Sequence, residues 1–346
     1  MRYQEEKQLA GNRDQLIRVS RYQMMDGKAK GAELLEVQNR SGLHFHVNLS
    51  RGMDIPYMDF NGQNIGFVSA CGIVAPEYFD DKGLGFLKGF TAGLMTTCGL
   101  KYIGGPCEYE GKEYGLHGNI NNTPATEVSY RVVEDGDDPY VLIRGRLEDA
   151  QIFDDKLSLE REIRCDYQDA KVTVADRVTN DGYQTVRHMI LYHCNIGYPM
   201  LSPESEVFIP TTKVIARTPH AEEGIDRWMY TEQPDPAYEE MCYYHTLKDN
   251  GQGGSSAAIF NPSLNLGIAI EPQLATLDHF LQWKMMGARD YVMGLEPCNS
   301  TLDGIEDAIA KGTMKYLEPG QSVEYKLAFR ILQGRDAFED LKKTFA

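Results

Sequence analysis

Three side chains able to move protons stand where the chain is otherwise apolar or glycine-rich: His117 in YGLHGNINNTPA, His193 in TVRHMILYHCNIGYPML and Glu296 in VMGLEP. A glutamate carried into an apolar strand must be hydrogen-bonded, paired, or held at a raised pKa poised for proton transfer. His193 falls where such a strand gives way to a loop marked by Asn195, Gly197 and Pro199, a setting suited to the edge of a cleft. His188, five positions earlier, points to the other face of a regular strand and reads as a surface residue. Gly115 and Gly118 remove side-chain bulk on both sides of His117, which would let a ligand approach the imidazole. Trp283 and Lys284 stand one strand length before Glu296 and could reach the same cavity from a neighbouring strand.

Other constellations are less specific. Arg51 and Asp54 in LSRGMDIPY form either a surface pair or an arginine fork presented to sugar-type hydroxyls or a carboxylate. HFH at 44–46 sets His44 and His46 on one face of a strand, a spacing compatible with a metal, but no third ligand is identifiable and no metal is expected. GxGxxG, GxxxxGK[ST] and GxSxG are all absent, so neither nucleotide binding nor a serine nucleophile elbow is indicated. The 7 cysteines are odd in number and include no CxxC pair, which suggests reduced, mostly buried thiols.

The elements that must position these groups are mainly strands. Runs with strand-like patterning such as QLIRVSRYQM, LHFHVNL, TVRHMILYHCN and QSVEYKLAFRIL recur between glycine, asparagine and proline. EDGDDP and DYQDAK each set turn formers between two such runs and predict antiparallel hairpins. FLKGFTAGLMTTCGL could hold a short helix, and DAFEDLKKTFA predicts an amphipathic one. No repeat period or Gly/Ser-rich linker divides the chain, so residues 1–346 are expected to form one large antiparallel β domain. Segment 217–256 interrupts the strand rhythm and reads as a long excursion, either a pocket wall or an oligomer contact.

With 51 acidic against 35 basic residues, the 346-residue chain carries a net charge of −16, which disfavours nucleic acid and anionic membrane as partners. No apolar run reaches the roughly 18 residues a membrane helix needs, and the polar start does not read as a secretory signal, so a soluble, cytoplasmic protein is expected.

With His117, His193 and Glu296 in that order, the chain resembles the galactose mutarotase (aldose 1-epimerase) superfamily, and more closely its aldose-epimerase-like branch DUF4432. LSRGMDI, TAGLMTTCGL, YGLHGNINNTPA, LYHCNIGYPML, LQWKMMGARDYVMGLEP and YLEPGQSVEYKLAFRIL carry the resemblance from about Arg51 to Leu332. It implies an all-β, mainly antiparallel β-supersandwich of galactose mutarotase type, with a sugar cleft across one concave face. It also implies that His117 binds the sugar, His193 acts as general acid and Glu296 as general base, with no cofactor. The departures are informative. The GRxxNR arginine of mutarotases has no counterpart in TAGLMTTCGLKY, so Arg51 or Lys284 is expected to supply the cation. NHxYFNL is reduced to YHCNIGYP, which alters the pocket near His193. Asp54, Asn195 and Trp283 complete the expected sugar-binding set. The expected partner is a monosaccharide or sugar derivative, with a homodimer allowed. Two competing functions are another sugar isomerisation using Glu296 as base at C2, and a carbohydrate-binding protein without turnover.

Overall fold

The computed structural model describes residues 2–134 and 136–346. Three antiparallel sheets dominate it. The first is five-stranded and runs in chain order from Arg18–Gln23 through Glu33–Gln38, Leu43–Asn48 and Met58–Phe60 to Gln63–Asn64. The second, eight-stranded, begins with the neighbours Thr126–Val133, Tyr140–Ala150, Lys156–Asp166 and Lys171–Asn180 and continues through Ser322–Gln333 to Leu266–Pro272. The third, seven-stranded, carries Met241–Leu247, His279–Met286, Tyr291–Cys298, Met189–His193 and Thr96–Leu100 side by side.

Alternation along these strands explains how the sheets pack. Val141 and Ile143, Val172 and Val174, and Ile268 and Ile270 point from the eight-stranded sheet into one apolar core, where Ile190, Tyr192, Met293 and Leu295 meet them from the seven-stranded sheet. Leu35, Phe45 and Val47 of the five-stranded sheet join the same core. The alternate residues of the seven-stranded sheet, Met189, Leu191, Leu281 and Cys298, form a second apolar cluster with Phe86 and Phe90 on its opposite face. Side chains at odd and even positions of the central strands therefore have different destinations: the intersheet core or the second cluster.

Both expected hairpins are present, joining Thr126–Val133 to Tyr140–Ala150 and Lys156–Asp166 to Lys171–Asn180; Asp135 of the first turn lies outside the described residues. The C-terminal helix forms over Arg335–Lys343 and buries Phe338 and Leu341 against Phe260 and Leu332. Two expectations are corrected. The only helical turn in FLKGFTAGLMTTCGL is the end of a 3-10 turn at Gly85–Lys88, and its TTCGL end is the fully buried strand Thr96–Leu100, because a strand buried on both faces shows no alternation to betray it. Segment 217–256 contains the strand Met241–Leu247, which pairs with His279–Met286, so it belongs partly to the sheet it seemed to interrupt. All 7 cysteines are free, and 5 of them are buried. Among the described residues no helix is long and apolar enough to cross a membrane.

Candidate active site

Strand register brings the proton-moving groups together. Leu191 opposes Cys298 and Asn195 opposes Gly294, so His193 and Glu296 fall opposite one another between those two pairs, on the face that carries the second apolar cluster. His193 Nδ1 lies 3.2 Å from Glu296 Oε1. The approach is too poorly aligned to make a hydrogen bond, and His193 Nδ1 and both Glu296 carboxylate oxygens are buried without a hydrogen-bond partner. Native proteins seldom leave such atoms unsatisfied unless a ligand or water meets them.

The next strand adds Trp283, opposite Gly294, with its ring 5.3 Å from that of His193 in an edge-on arrangement. Gly294 is what allows this packing: a Cβ there would lie 2.1 Å from Glu296 Oε1 and 3.0 Å from Trp283 Cβ. Trp283 Nε1 donates to Glu240 Oε2 at 2.8 Å, placing a second carboxylate at the rim.

His117 enters from a loop with φ +60°, a conformation non-glycine residues seldom adopt outside constrained sites. Backbone bonds fix it: its N–H donates to Gly104 O and its carbonyl accepts from Gly99 N, both at 3.0 Å. The Gly104 N–H also donates to His117 Nδ1 at 3.4 Å. With Nδ1 accepting, a neutral ring carries its proton on Nε2 as a donor. The His117 and His193 rings meet edge-on at 5.7 Å.

These groups line a cleft of about 370 Å³ with apolar walls that include Phe86, Phe90 and Leu302. A larger hollow of about 590 Å³ lies over the eight-stranded sheet, but its charged residues already pair with one another, as Arg144 does with Glu162 and Arg146 with Glu160. Unpartnered proton-moving groups are found in the smaller cleft.

The electrostatics follow from dryness. Burial first, and the nearby Glu240 carboxylate second, push Glu296 well above the usual carboxylate range, with Arg217 opposing them. Burial holds His193 down to about 4. Burial, followed by the neighbouring His193 and Arg217, holds His117 down to about 3. The resting proton of the His193–Glu296 pair therefore sits on the carboxyl group.

Of the residues expected from sequence, His117, His193, Glu296 and Trp283 converge on this cleft. Asn195 lies beneath it, where its Nδ2 donates to the His193 carbonyl at 2.8 Å and steadies that turn of backbone. Three expectations are corrected. Lys284 is next to Trp283 and so points to the other face, where it donates to Glu232 Oε1 at 2.7 Å and to the Arg227 carbonyl. Arg51 is buried away from the cleft, donating to the carbonyls of Asn121, Val74 and Gly89. Asp54 is buried as well, accepting from Thr97 N and Oγ1 and from Arg161 Nη1.

His188 is not a surface residue: only 1 % exposed, it bonds Leu100 O through Nδ1 and Tyr325 OH through Nε2. It does point away from His193, but that other face is the intersheet core. Gly115 and Gly118 do not serve as clearance for a ligand. A Cβ at Gly115 would lie 2.2 Å from Asp81 O, and one at Gly118 2.6 Å from Gly99 O, so both are small because backbone packs on them.

Sequence reasoning missed the cation that does line the cleft. Arg217 follows the strand Thr211–Ala216, donates from Nη2 to Leu302 O at 3.1 Å, and holds Nε 3.5 Å from Asp303 Oδ1 without an aligned bond. Glu240 and Cys242 line the same wall, so segment 217–256 contributes to the pocket. Its rich charge was the available signal, with no spacing to single out Arg217.

Solved structures share this architecture. A protein from Klebsiella pneumoniae subsp. pneumoniae, provisionally named an aldose 1-epimerase, is 24% identical and superposes with a TM-score of 0.91, covering 96% of this chain and 90% of its own. A galactose mutarotase-like protein from Clostridium acetobutylicum reaches 0.66 at 14% identity over 92% of this chain and 99% of its own. The galactose 1-epimerase of Lactobacillus acidophilus NCFM reaches 0.59 at 11% identity over 92% of this chain and 100% of its own. These likenesses show the fold: an all-β, mainly antiparallel supersandwich of galactose mutarotase type. No curated protein sequence matches the chain. Residues 29–331 match the family model described as domain of unknown function DUF4432, and the chain belongs to that family.

Proposed function

We propose that this protein is an aldose 1-epimerase-like isomerase that interconverts the anomers of a monosaccharide by opening and reclosing its ring. The observation that carries this reading is the His193–Glu296 pair, 3.2 Å apart in a buried cleft with His193 Nδ1 and both Glu296 oxygens unpartnered. Fold-related proteins named as an aldose 1-epimerase and a galactose 1-epimerase support it by analogy.

In the reaction, Glu296 as carboxylate takes the proton of the C1 hydroxyl, the pair of the broken O–H bond forms the second bond of the carbonyl, and the C1–ring-oxygen bond breaks with its pair going to the ring oxygen. The ring oxygen receives the proton of His193. Rotation about C1–C2 exposes the other carbonyl face, and the same steps in reverse return both protons and close the opposite anomer. At rest the pair carries one proton, on Glu296. Sugar hydroxyls entering the dry site supply the hydrogen bonds that let that proton pass to His193. His117 offers Nε2–H to a sugar oxygen, Trp283 offers an aromatic wall, and Arg217 is the cation. No cofactor takes part in these steps.

The test is NMR exchange between anomers across a panel of aldoses, with Glu296→Gln and His193→Asn. Loss of either group should slow exchange by roughly 10²–10⁴-fold. No acceleration of any sugar, or mutants as fast as wild type, overturns the proposal. Deuterium entering C2 from D₂O would instead assign Glu296 to an isomerisation through an enediol. Sugar binding without turnover would leave a carbohydrate-binding protein.

A further inference from the structure

The five-stranded sheet carries a second cluster of chemistry-bearing side chains, none of which lines the cleft. His44 and His46 lie on the strand Leu43–Asn48, and Glu36, on Glu33–Gln38, opposes His46 directly. One ligand atom from each of Glu36, His44 and His46 lies within 4.8 Å of the others. We propose that Glu36, His44 and His46 form a binding site for one divalent cation of the zinc class, which clamps neighbouring strands of this sheet.

Two features beyond the ligand types favour the site. Both imidazoles have one ring nitrogen anchored by an oxygen: His44 Nδ1 meets Asp59 Oδ2 at 2.7 Å, and His46 Nδ1 meets Tyr22 OH at 2.6 Å. A carboxylate or hydroxyl on the far nitrogen fixes the ring and its tautomer, as in carboxylate–histidine–metal triads. Anchored in this way, His44 holds Nε2 3.0 Å from Glu36 Oε1, so the two donors stand side by side as they would on one ion. The second feature is placement: Asp59 opposes His44 from Met58–Phe60, so every group rides on a paired strand.

Two nitrogens and one carboxylate oxygen suit zinc, cobalt or nickel better than magnesium or calcium, which prefer oxygen cages. Bonds of 2.0–2.2 Å set tetrahedral donors about 3.3–3.6 Å apart, so His46 closes in while His44 and Glu36 part slightly. Arg18 Nη2 lies 3.3 Å from Glu36 Oε2 and leaves Oε1 for the ion. Sequence spacing alone offered only the two histidines; the third ligand appears once the hairpin register is known.

Titration calorimetry of the metal-free, reduced full chain with Zn²⁺, repeated with Co²⁺, tests the site. The expected result is one saturable site per chain, and a melting temperature that rises with added Zn²⁺. Glu36→Gln and the double variant His44→Ala/His46→Ala should abolish both. Asp59→Asn should weaken binding by about 10–100-fold, as outer-sphere partners do. Melting of each variant without metal checks that it folds, and Glu36→Gln, close to isosteric, keeps the test decisive if the double variant does not. Cys71→Ser/Cys107→Ser should bind as wild type does, which separates the site from half-exposed thiols. No saturable binding by wild type, or binding unchanged in Glu36→Gln, overturns the proposal.

Discussion

Burial acts in opposite directions on the two proton-moving groups, raising Glu296 and lowering His193 to about 4. Below about 4 both would be protonated, between the two values the pair keeps one proton, and above the raised value of Glu296 it keeps none. The proposed reaction needs the one-proton state, in either tautomer. kcat/KM should therefore climb as pH rises through about 4, hold across a broad plateau, and fall only above the ordinary carboxylate range. Histidine ¹⁵N shifts provide the direct check: His193 should remain neutral at pH 6, and a ring half-protonated near the ordinary value of about 6.5 would sink the assignment. Arg217 carries the second residue-scale prediction. It lines the cleft with its guanidinium anchored through Nη2 to Leu302 O, which sets its positive charge beside an entering sugar. Arg217→Lys keeps the charge but loses the fork geometry, and should raise KM by about 10-fold with a smaller change in kcat. Equal KM values in mutant and wild type would remove Arg217 from the sugar contacts. The proposed roles of acid and base came from the family resemblance alone, while His193 and Glu296 were legible in the sequence as candidates because a lone carboxylate in an apolar strand and a strand-end histidine are locally unusual. Arg217 was not, since one arginine in a charged segment looks like any other until the fold turns it inward.

Strand parity decided which sequence neighbours became site neighbours. Trp283 and Lys284 look equivalent in LQWKMM, yet opposite Gly294 and Met293 they face the cleft side and the other face respectively. Parity could be read for His188 and His193, but which face was solvent could not, because a central strand covered on both sides gives no polar face to mark the outside. Gly294 turns this geometry into a prediction. A methyl group there would collide with Glu296 Oε1 at 2.1 Å and press on Trp283 Cβ at 3.0 Å. Gly294→Ala should fold, with an overpacking cost of about 1–3 kcal/mol. Displacing the carboxylate by an ångström should slow anomer exchange by about 10²-fold. Glu296→Asp in that background, one methylene shorter, should recover melting temperature without recovering rate. A Gly294→Ala protein as active as wild type would show that the Glu296 carboxylate is not needed where the structure holds it.

At the scale of the whole molecule, one buried arginine ties the sheets together beneath the site. Arg161, on Lys156–Asp166, is 1 % exposed and bonds Asp176 on the adjacent strand through Nε–Oδ1 at 2.9 Å and Nη2–Oδ2 at 2.6 Å. The same guanidinium donates to Gly52 O at 2.8 Å, to Asp54 Oδ1 at 3.2 Å, and to Thr97 Oγ1 of the seven-stranded sheet at 2.8 Å. Tyr192, the residue before His193, donates its hydroxyl to Asp176 Oδ2 at 2.6 Å, and Thr96, next to Thr97, opposes His193 in register. Asp54, expected from the sequence to contact a ligand, belongs instead to this buried network. In LSLEREIRC alternation sets Arg161 on the same face as Leu157, Leu159 and Ile163, which marks it as an inward charge, and only the packing of the sheets shows which groups it meets there. Its neutralisation should be costly for a specific reason. Arg161→Met leaves Asp176 and Asp54 buried without their cation, a loss of about 3–5 kcal/mol as in other broken buried pairs. Adding Asp176→Asn removes one stranded charge and should return part of that loss, so the two substitutions together destabilise less than the sum of each alone. Thermal melts of the four proteins in the cycle check this. Additive losses would mean that Arg161 and Asp176 act independently, and an Arg161→Met melting temperature equal to wild type would mean that the sheets are held by apolar packing alone.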